Sequence, residues 1–426
     1  MLSLSLLGIV FVLLMLLGIP ITFSLGLSSV AGLWIMEKPL ATVPIAIFQG
    51  IESWVLLAIP SFIFAGILME RCRISYQLID LARSMVGWIR GGLGMTTVVG
   101  EILFSGVSGS TVADVSAIGS MMAPPMIQGG YKAEHTASII AASTCFGILI
   151  PPAIFMIVVG TQTSTSIVGI FLGAILPGLV AGGLLMLTIY FQAMRFKWPV
   201  DAKPNFKWLL RATKNALIAL FVPIFIIGGF RFGVFTATEA GAVCALYAVV
   251  VSLLLYRNVT IKEILDILME TALLTAAVIF LLGTATIYQY IMASLGVPQL
   301  FLQISQNLSP HVFLFVISFI TLLFGLVMEG LPAAVILLPV VFPVAVAKGI
   351  NGIHFCVILT LASCIGFFLP PTGAGLLLCL RFTKVKLSWP FIRAYTPYVI
   401  TIVISLIIII LFPSLSLIFP HNAGIR

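Results

Sequence analysis

Apolar stretches long enough to cross a lipid bilayer recur from one end of this 426-residue chain to the other. A transmembrane helix needs about 20 mainly apolar residues. Residues 4–17, 55–69, 166–193, 216–229, 240–255, 273–292, 312–327 and 398–412 are the clearest candidates. With the shorter or Gly/Pro-broken segments between them, the pattern predicts roughly eleven spans plus two incomplete ones. Only 8% of the residues are charged, against about 25% in a soluble domain. Lipid must therefore solvate most of the surface. No polar stretch exceeds about 25 residues, so no soluble domain is expected.

The net charge of +8 is a topology signal. Arg195, Lys197, Lys203, Lys207, Arg211 and Lys214 crowd one loop against a single acid, Asp201, and the positive-inside rule makes that loop cytoplasmic. Arg381, Lys384, Lys386 and Arg393 form a second, weaker basic loop. A nucleic-acid partner is not expected, because its footprint is a basic face with aromatics in a soluble domain. Met1-Leu2-Ser3-Leu4-Ser5 lacks the basic region and cleavage site of a secretory signal and reads as a retained first helix. The six cysteines sit mostly inside apolar runs with no Cys-x-x-Cys pair, as buried, inert thiols do. The four histidines are scattered, so neither a Cys/His metal site, an organic cofactor nor the nucleophile–base pair of an enzyme is expected.

The most informative feature is an internal repeat. Thr144-Cys145-Phe146-Gly147-Ile148-Leu149-Ile150-Pro151-Pro152 matches Ser363-Cys364-Ile365-Gly366-Phe367-Phe368-Leu369-Pro370-Pro371, 219 residues later. Upstream the offset holds within a residue: Phe104-Ser105-Gly106-Val107-Ser108 corresponds to Phe324-Gly325-Leu326-Val327-Met328, and Pro124 to Pro343. A period near half the chain means two halves, not a solenoid. Each half holds two helix-breaking elements. The first is a tip, Ser105–Thr111 in half one and Glu329-Gly330-Leu331-Pro332 in half two. Flanking residues 93–104 and 112–126 are too short to span, which predicts a re-entrant hairpin with its tip at mid-membrane. The second is the Gly-x-x-x-Pro-Pro break. Proline removes an N–H donor and clashes with the carbonyl four residues back, and freed carbonyls in hydrocarbon must be buried in protein or line a wet cavity. Hard cations such as Na⁺ take oxygen ligands, and discontinuous helices in matching positions of two halves are the sequence signature of a transporter site. Two mere packing kinks would not account for the matched tips. The repeat alone does not decide whether the halves are inverted.

Five motifs occur in order: Ile59-Pro60-Ser61-Phe62-Ile63-Phe64-Ala65-Gly66, Gly91-Gly92-Leu93, Ser108-Gly109-Ser110-Thr111-Val112-Ala113-Asp114, the stretch from Gly147 to Pro152, and Gly233-Val234-Phe235-Thr236-Ala237-Thr238-Glu239-Ala240. Together they resemble the large, DctM-like membrane subunit of the tripartite ATP-independent periplasmic (TRAP) transporters over essentially the whole chain. The resemblance implies an all-α polytopic membrane protein of the ion transporter superfamily. Two inverted repeats, each with a re-entrant hairpin and a Gly/Pro-broken helix, would move as an elevator. The corresponding division is scaffold helices at 1–90, transport-domain repeat one at 91–195, the basic loop with scaffold and arm helices at 196–310, repeat two at 311–385, and a C-terminal transmembrane helix at 386–426. Expected partners are a separate small four-helix membrane subunit and a periplasmic substrate-binding protein delivering an organic acid, all at the bacterial inner membrane.

The resemblance also implies one sodium site per half: Ser105, Ser108, Gly147, Ile150 and Pro152 in the first, Gly325, Gly366, Leu369 and Thr372 in the second, mostly through backbone carbonyls. Two departures bear on the second site. The family usually has Thr where Leu369 stands, leaving only the carbonyl, and at the second tip it follows an acid with Thr or Pro where this chain reads Met328-Glu329-Gly330-Leu331. Helix N-termini after Ser108–Thr111 and after Pro371 offer N–H donors to an anion, which makes Ser110, Thr111 and Thr372 the expected substrate contacts. Asp114 suits either a helix N-terminal carboxylate or, as an acid at membrane depth, a role in the cation or substrate site. Glu239 fits a helix cap, and Glu329 is placed to tune charge at the second sodium. The leading reading is Na⁺-coupled uptake of a small organic acid. The alternative is a stand-alone Na⁺/carboxylate symporter of the same architecture without a binding protein.

Overall fold

The computed structural model describes residues 2–72, 74–201, 203, 205–257 and 259–425. Met1, at the head of the expected first helix, and Arg426, at the end of the last expected segment, lie outside them.

The described residues form helices joined by short turns, with no strand beyond an isolated bridge between Arg90 and Val200. Helices α1 (Leu2–Leu16), α2 (Ile21–Ile35), α3 (Thr42–Ile51), α4 (Ala58–Arg71) and α5 (Ile74–Val86) open the chain. Then come α6 (Gly92–Ser108), α7 (Thr111–Gln128), α8 (Ala133–Gly147), α9 (Ile154–Thr163) and α10 (Ile167–Phe196). The middle is α11 (Phe206–Arg231), α12 (Ala237–Val250), α13 (Ile261–Ser294) and α14 (Val297–Ser305). Finally α15 (Pro310–Val327), α16 (Gly330–Ala347), α17 (Gly352–Phe368), α18 (Ala374–Thr383) and α19 (Trp389–Leu411) echo α6–α10 in order, before α20 (Ser414–Asn422).

Among the described residues, eight helices are long and apolar enough to cross a membrane, among them α10, α11, α13 and α19, and seven shorter apolar helices accompany them. The expected first span, residues 4–17, is shorter than a crossing: α1 has 15 residues, about 22 Å at 1.5 Å per residue. Gly18 adopts a left-handed φ of 79° and Pro20 precedes α2, so the chain turns where the hydropathy profile reads on. The hairpin helices are longer than residues 93–104 and 112–126. α7 carries Pro124 and Pro125 inside it, and α6 continues through Ser105 to Ser108. α6, α7, α15 and α16 have 17 or 18 residues each, about 25–27 Å against a hydrocarbon core of about 30 Å.

Local chemistry sets the helix starts. Ser166, Asn205, Ser309 and Asn351 accept backbone N–H bonds at the heads of α10, α11, α15 and α17. Thr236 with Glu239, and Thr260 with Glu263, form reciprocal capping boxes on α12 and α13. Glu239 is therefore a cap, as its spacing from Thr236 suggests. The core centres on α8 and α17, nearly every residue of which is buried. α17 is apolar nearly all round, and the hydroxyls of Ser138, Ser143 and Thr144 in α8 bond back to carbonyls of their own helix. The two pack on each other, and the repeat-equivalent thiols Cys145 and Cys364 meet between them. All six cysteines are buried and unpaired.

The basic loop between α10 and α11 is pinned down. Arg83 donates to Asp201 through Nε at 2.5 Å and Nη2 at 2.8 Å. The Asp201 carboxylate is the main reason the Arg83 guanidinium is held above its ordinary range. Trp198 stacks on Tyr131 at 4.4 Å, just past the end of α7. The open end of the first hairpin therefore lies on the side of the positive loop.

Candidate functional site: two hairpin tips and two helix breaks

The first tip reverses direction at Gly109, whose φ of 63° lies in the left-handed region, with Ser110 extended before α7. A side chain at Gly109 would also meet the Pro152 carbonyl oxygen at 2.9 Å. Gly109 O in turn accepts the Ile154 amide at 3.4 Å, so the tip is seated on the break between α8 and α9. Gly66 of α4 explains a second motif: a Cβ there would come within 2.8 Å of Ser108 O. Gly241 does similar work on α12, where a Cβ would lie 3.1 Å from Ser61 Cβ.

Residues expected in the first cation site are brought together. Ser105 Oγ donates to Gly147 O at 2.6 Å, and that carbonyl also accepts the Ile150 amide at 2.8 Å. Gly106 lies against Ile150 and the Pro151 carbonyl, and Pro152 lies against the tip. Ser108 Oγ donates to Asp114 Oδ1. Asp114 is in the first turn of α7 but is 1% exposed, so it is a buried member of this cluster as well as a helix N-terminal carboxylate.

Glu101 was not singled out from the sequence. It is 0% exposed, and neither carboxylate oxygen has a hydrogen-bond partner; Asp114 Oδ2 is likewise unpartnered. Glu101 Oε1 occupies the space beside Gly147, 2.1 Å from where a Cβ would stand. The signal was present: Glu101 is the one acid between Leu93 and Phe104, a turn before Ser105, and an acid at membrane depth is a site candidate.

The second break joins Gly325 and Gly366 even more closely. A Cβ on Gly325 would lie 2.8 Å from Gly366 Cα, and one on Gly366 would lie 2.7 Å from Leu322 O. Leu369 is extended and its amide donates to Gly366 O at 3.1 Å. Thr372 Oγ1 donates to Leu326 O at 2.5 Å, tying the break to the end of α15. The tip is shorter than residues 329–332: it is Met328 and Glu329, with Gly330 already in α16. The Pro151–Pro152 and Pro370–Pro371 bonds are both cis.

A cavity of about 590 Å³ lies between the tips. Ser108–Thr111 line it from one half and Glu329–Leu331 from the other, with Ile63, Ile67 and Glu70 of α4, Glu270, Leu274 and Val278 of α13, and residues of α9 and α17 completing its wall. Ser110 and Thr111 are therefore at the cavity, whereas Thr372 is not among its lining residues. The cavity's size suits a small organic solute. The oxygens around Gly147, including the orphaned carboxylates, suit a hard monovalent cation.

Comparison with known proteins accounts for this arrangement. The family model of the tripartite ATP-independent periplasmic transporter, DctM component, matches residues 8–415. The C4-dicarboxylate TRAP transporter large permease protein DctM of Rhodobacter capsulatus is 32% identical over 428 residues, covering 96% of this chain and 97% of that protein. The 2,3-diketo-L-gulonate TRAP transporter large permease protein YiaN of Escherichia coli is 33% identical, covering 93% and 94%. The isethionate TRAP transporter permease protein DctMQ of Oleidesulfovibrio alaskensis is 34% identical over 382 residues, covering 89% of this chain but 60% of the relative. The chain, a multi-pass membrane protein with no enzymatic role to assign, belongs to the DctM large-permease family of TRAP transporters.

Proposed function

We propose that this chain is the translocating subunit for Na⁺-coupled uptake of a small organic acid across a bacterial inner membrane. The observation that carries the reading is the cavity between two hairpin tips, each tip tied to a broken helix whose carbonyls and hydroxyls face it from behind. The solute sits against Ser110 and Thr111 at the head of α7, where free N–H groups and the helix dipole favour a carboxylate. Na⁺ is held by the Ser105–Pro152 set in one half and by Gly325, Gly366, Leu369 and Thr372 in the other. Relatives whose names specify C4-dicarboxylate, diketogulonate and isethionate all transport organic acids, which supports that substrate class here.

The two halves are inverted repeats that travel together as an elevator against α4 and α13. Equivalent cysteines, Cys145 and Cys364, meet at the interface, which supports a two-fold relation between the halves, and the loop charges support inversion. The segment after α9 (Ser164-Thr165-Ser166) is uncharged, whereas that after α18 carries Lys384 and Lys386, so the positive-inside rule puts the two ends on opposite sides. A separate four-helix membrane subunit and a periplasmic binding protein complete the transporter. The longer DctMQ relative, with sequence beyond the matched region, supports a companion membrane subunit. Reconstitution in liposomes with both partners tests this. Uptake should require the binding protein and fall to background when Na⁺ is replaced by K⁺. Undiminished uptake in K⁺ defeats the coupling, and uptake without the soluble protein defeats the tripartite assembly.

A further inference from the structure

We propose that Glu101 is the charged ligand of the first cation site, a donor outside the set that family resemblance supplies. This rests on the sodium reading above and deepens it. Glu101 lies one helical turn before Ser105 on α6, is fully buried, and has only the neighbouring Asp114 carboxyl within hydrogen-bonding reach of its carboxylate oxygens. Its Oε1 flanks Gly147, the residue whose carbonyl accepts Ser105 Oγ at 2.6 Å. Asp114 lies within hydrogen-bonding reach of Glu101, Ser105 and Ser108 and has an orphaned oxygen of its own. Two carboxylates, two hydroxyls and one backbone carbonyl therefore converge on one volume, and neither acid forms a salt bridge among the described residues.

Buried carboxylates are paired, bound to a metal or neutralised by a proton. Of the helices packed on α6, α10 carries its basic residue in its last turn, α11 carries its own in its first three turns and at its last residue, and Arg71 of α4 pairs with Glu270. On α5 the Arg83 guanidinium is taken by Asp201. A proton shared between the two adjacent carboxyl groups leaves one negative charge, and a cation from solution is the counter-charge for it. One net negative charge with hydroxyl and carbonyl oxygens suits a monovalent ion. Among the described residues no group of three or more Asp, Glu, His or Cys side chains is placed to hold a metal.

The test measures Na⁺-dependent thermal stabilisation of the detergent-purified permease complex, with choline holding ionic strength constant. E101Q should raise the half-saturating Na⁺ concentration at least tenfold. E101D, which keeps the charge on a shorter stem and covers the case of a misfolded E101Q, should raise it about threefold. Native half-saturation in both variants overturns the inference while leaving the sodium reading intact. If the native complex itself shows no Na⁺-specific stabilisation, the sodium reading and this inference fall together.

Discussion

The two halves use the same backbone device and equip it differently. Aligned through the repeat, Glu101 corresponds to Thr321, Ser105 to Gly325, Ser108 to Met328 and Asp114 to Ala333. Where half one places a hydroxyl against Gly147 O, half two places one glycine against another with no room for a side chain. Thr321 turns its hydroxyl back to Ile317 O of its own helix at 2.8 Å, where Ser105 reaches across to Gly147 O. The first site is built from side chains around a carbonyl. The second is built from close backbone packing plus the single hydroxyl of Thr372. A duplicated scaffold therefore conserves helix breaks more strictly than the chemistry hung on them.

The sharpest way to break that comparison is to add one methyl to each break. At Gly366 the new Cβ would meet Leu322 O at 2.7 Å and Gly325 Cα at 2.8 Å. Both are backbone atoms that cannot rotate away. Gly366→Ala should cost about 3 kcal/mol, the upper end for overpacking, and lose the monodisperse peak in fluorescence-detected size exclusion. At Gly147 the same methyl meets Glu101 Oε1, the far end of a flexible side chain. Gly147→Ala should fold and, in Na⁺-free buffer, melt close to native, yet need about tenfold more Na⁺ for half-maximal stabilisation. Equal folding defects in both variants would show that the first break, too, is held by packing alone.

That contrast also explains what could be read before the fold was known. Helix breaks are local backbone events. Gly147-x-x-x-Pro151-Pro152 and its copy each combine a glycine with the loss of two successive N–H donors, so breaks, tips and the two-half organisation follow from the sequence. The boundaries followed less well, because Pro124 and Pro125 are absorbed into α7 and the turn at Gly18–Pro20 hides within an apolar run. Glu101 and the Gly325–Gly366 contact depend on which helix crosses which, information carried by tertiary packing and not by spacing. Thr372 shows the converse: a helix N-terminus made it a plausible solute contact, but the break turns its hydroxyl to Leu326 O and away from the cavity.

Smaller substitutions grade the difference. Ser105→Ala removes a buried 2.6 Å bond to Gly147 O. The Ile150 amide still satisfies that carbonyl, so the structural loss should stay near 1 kcal/mol, the ordinary net worth of one hydrogen bond. Removing the hydroxyl as a cation ligand should show separately, as an increase of about fivefold in half-saturating Na⁺. A melting shift with unchanged Na⁺ response would reduce Ser105 to a structural link.

Thr372→Val should do least. Its hydroxyl also bridges a break to a hairpin end, at 2.5 Å, but the residue is exposed, and water can take over the freed Leu326 carbonyl. The expected loss is about 0.5 kcal/mol, the low end for a hydrogen bond, with a change in half-saturating Na⁺ of less than about twofold. Thr372 supplies the one side-chain hydroxyl among the four residues expected in the second cation site. If Thr372→Val shifts Na⁺ affinity as much as Ser105→Ala does, a single hydroxyl supports the second site as strongly as the polar cluster supports the first. The contrast between the two halves would then lie in how each site is packed and not in how tightly each holds its ion.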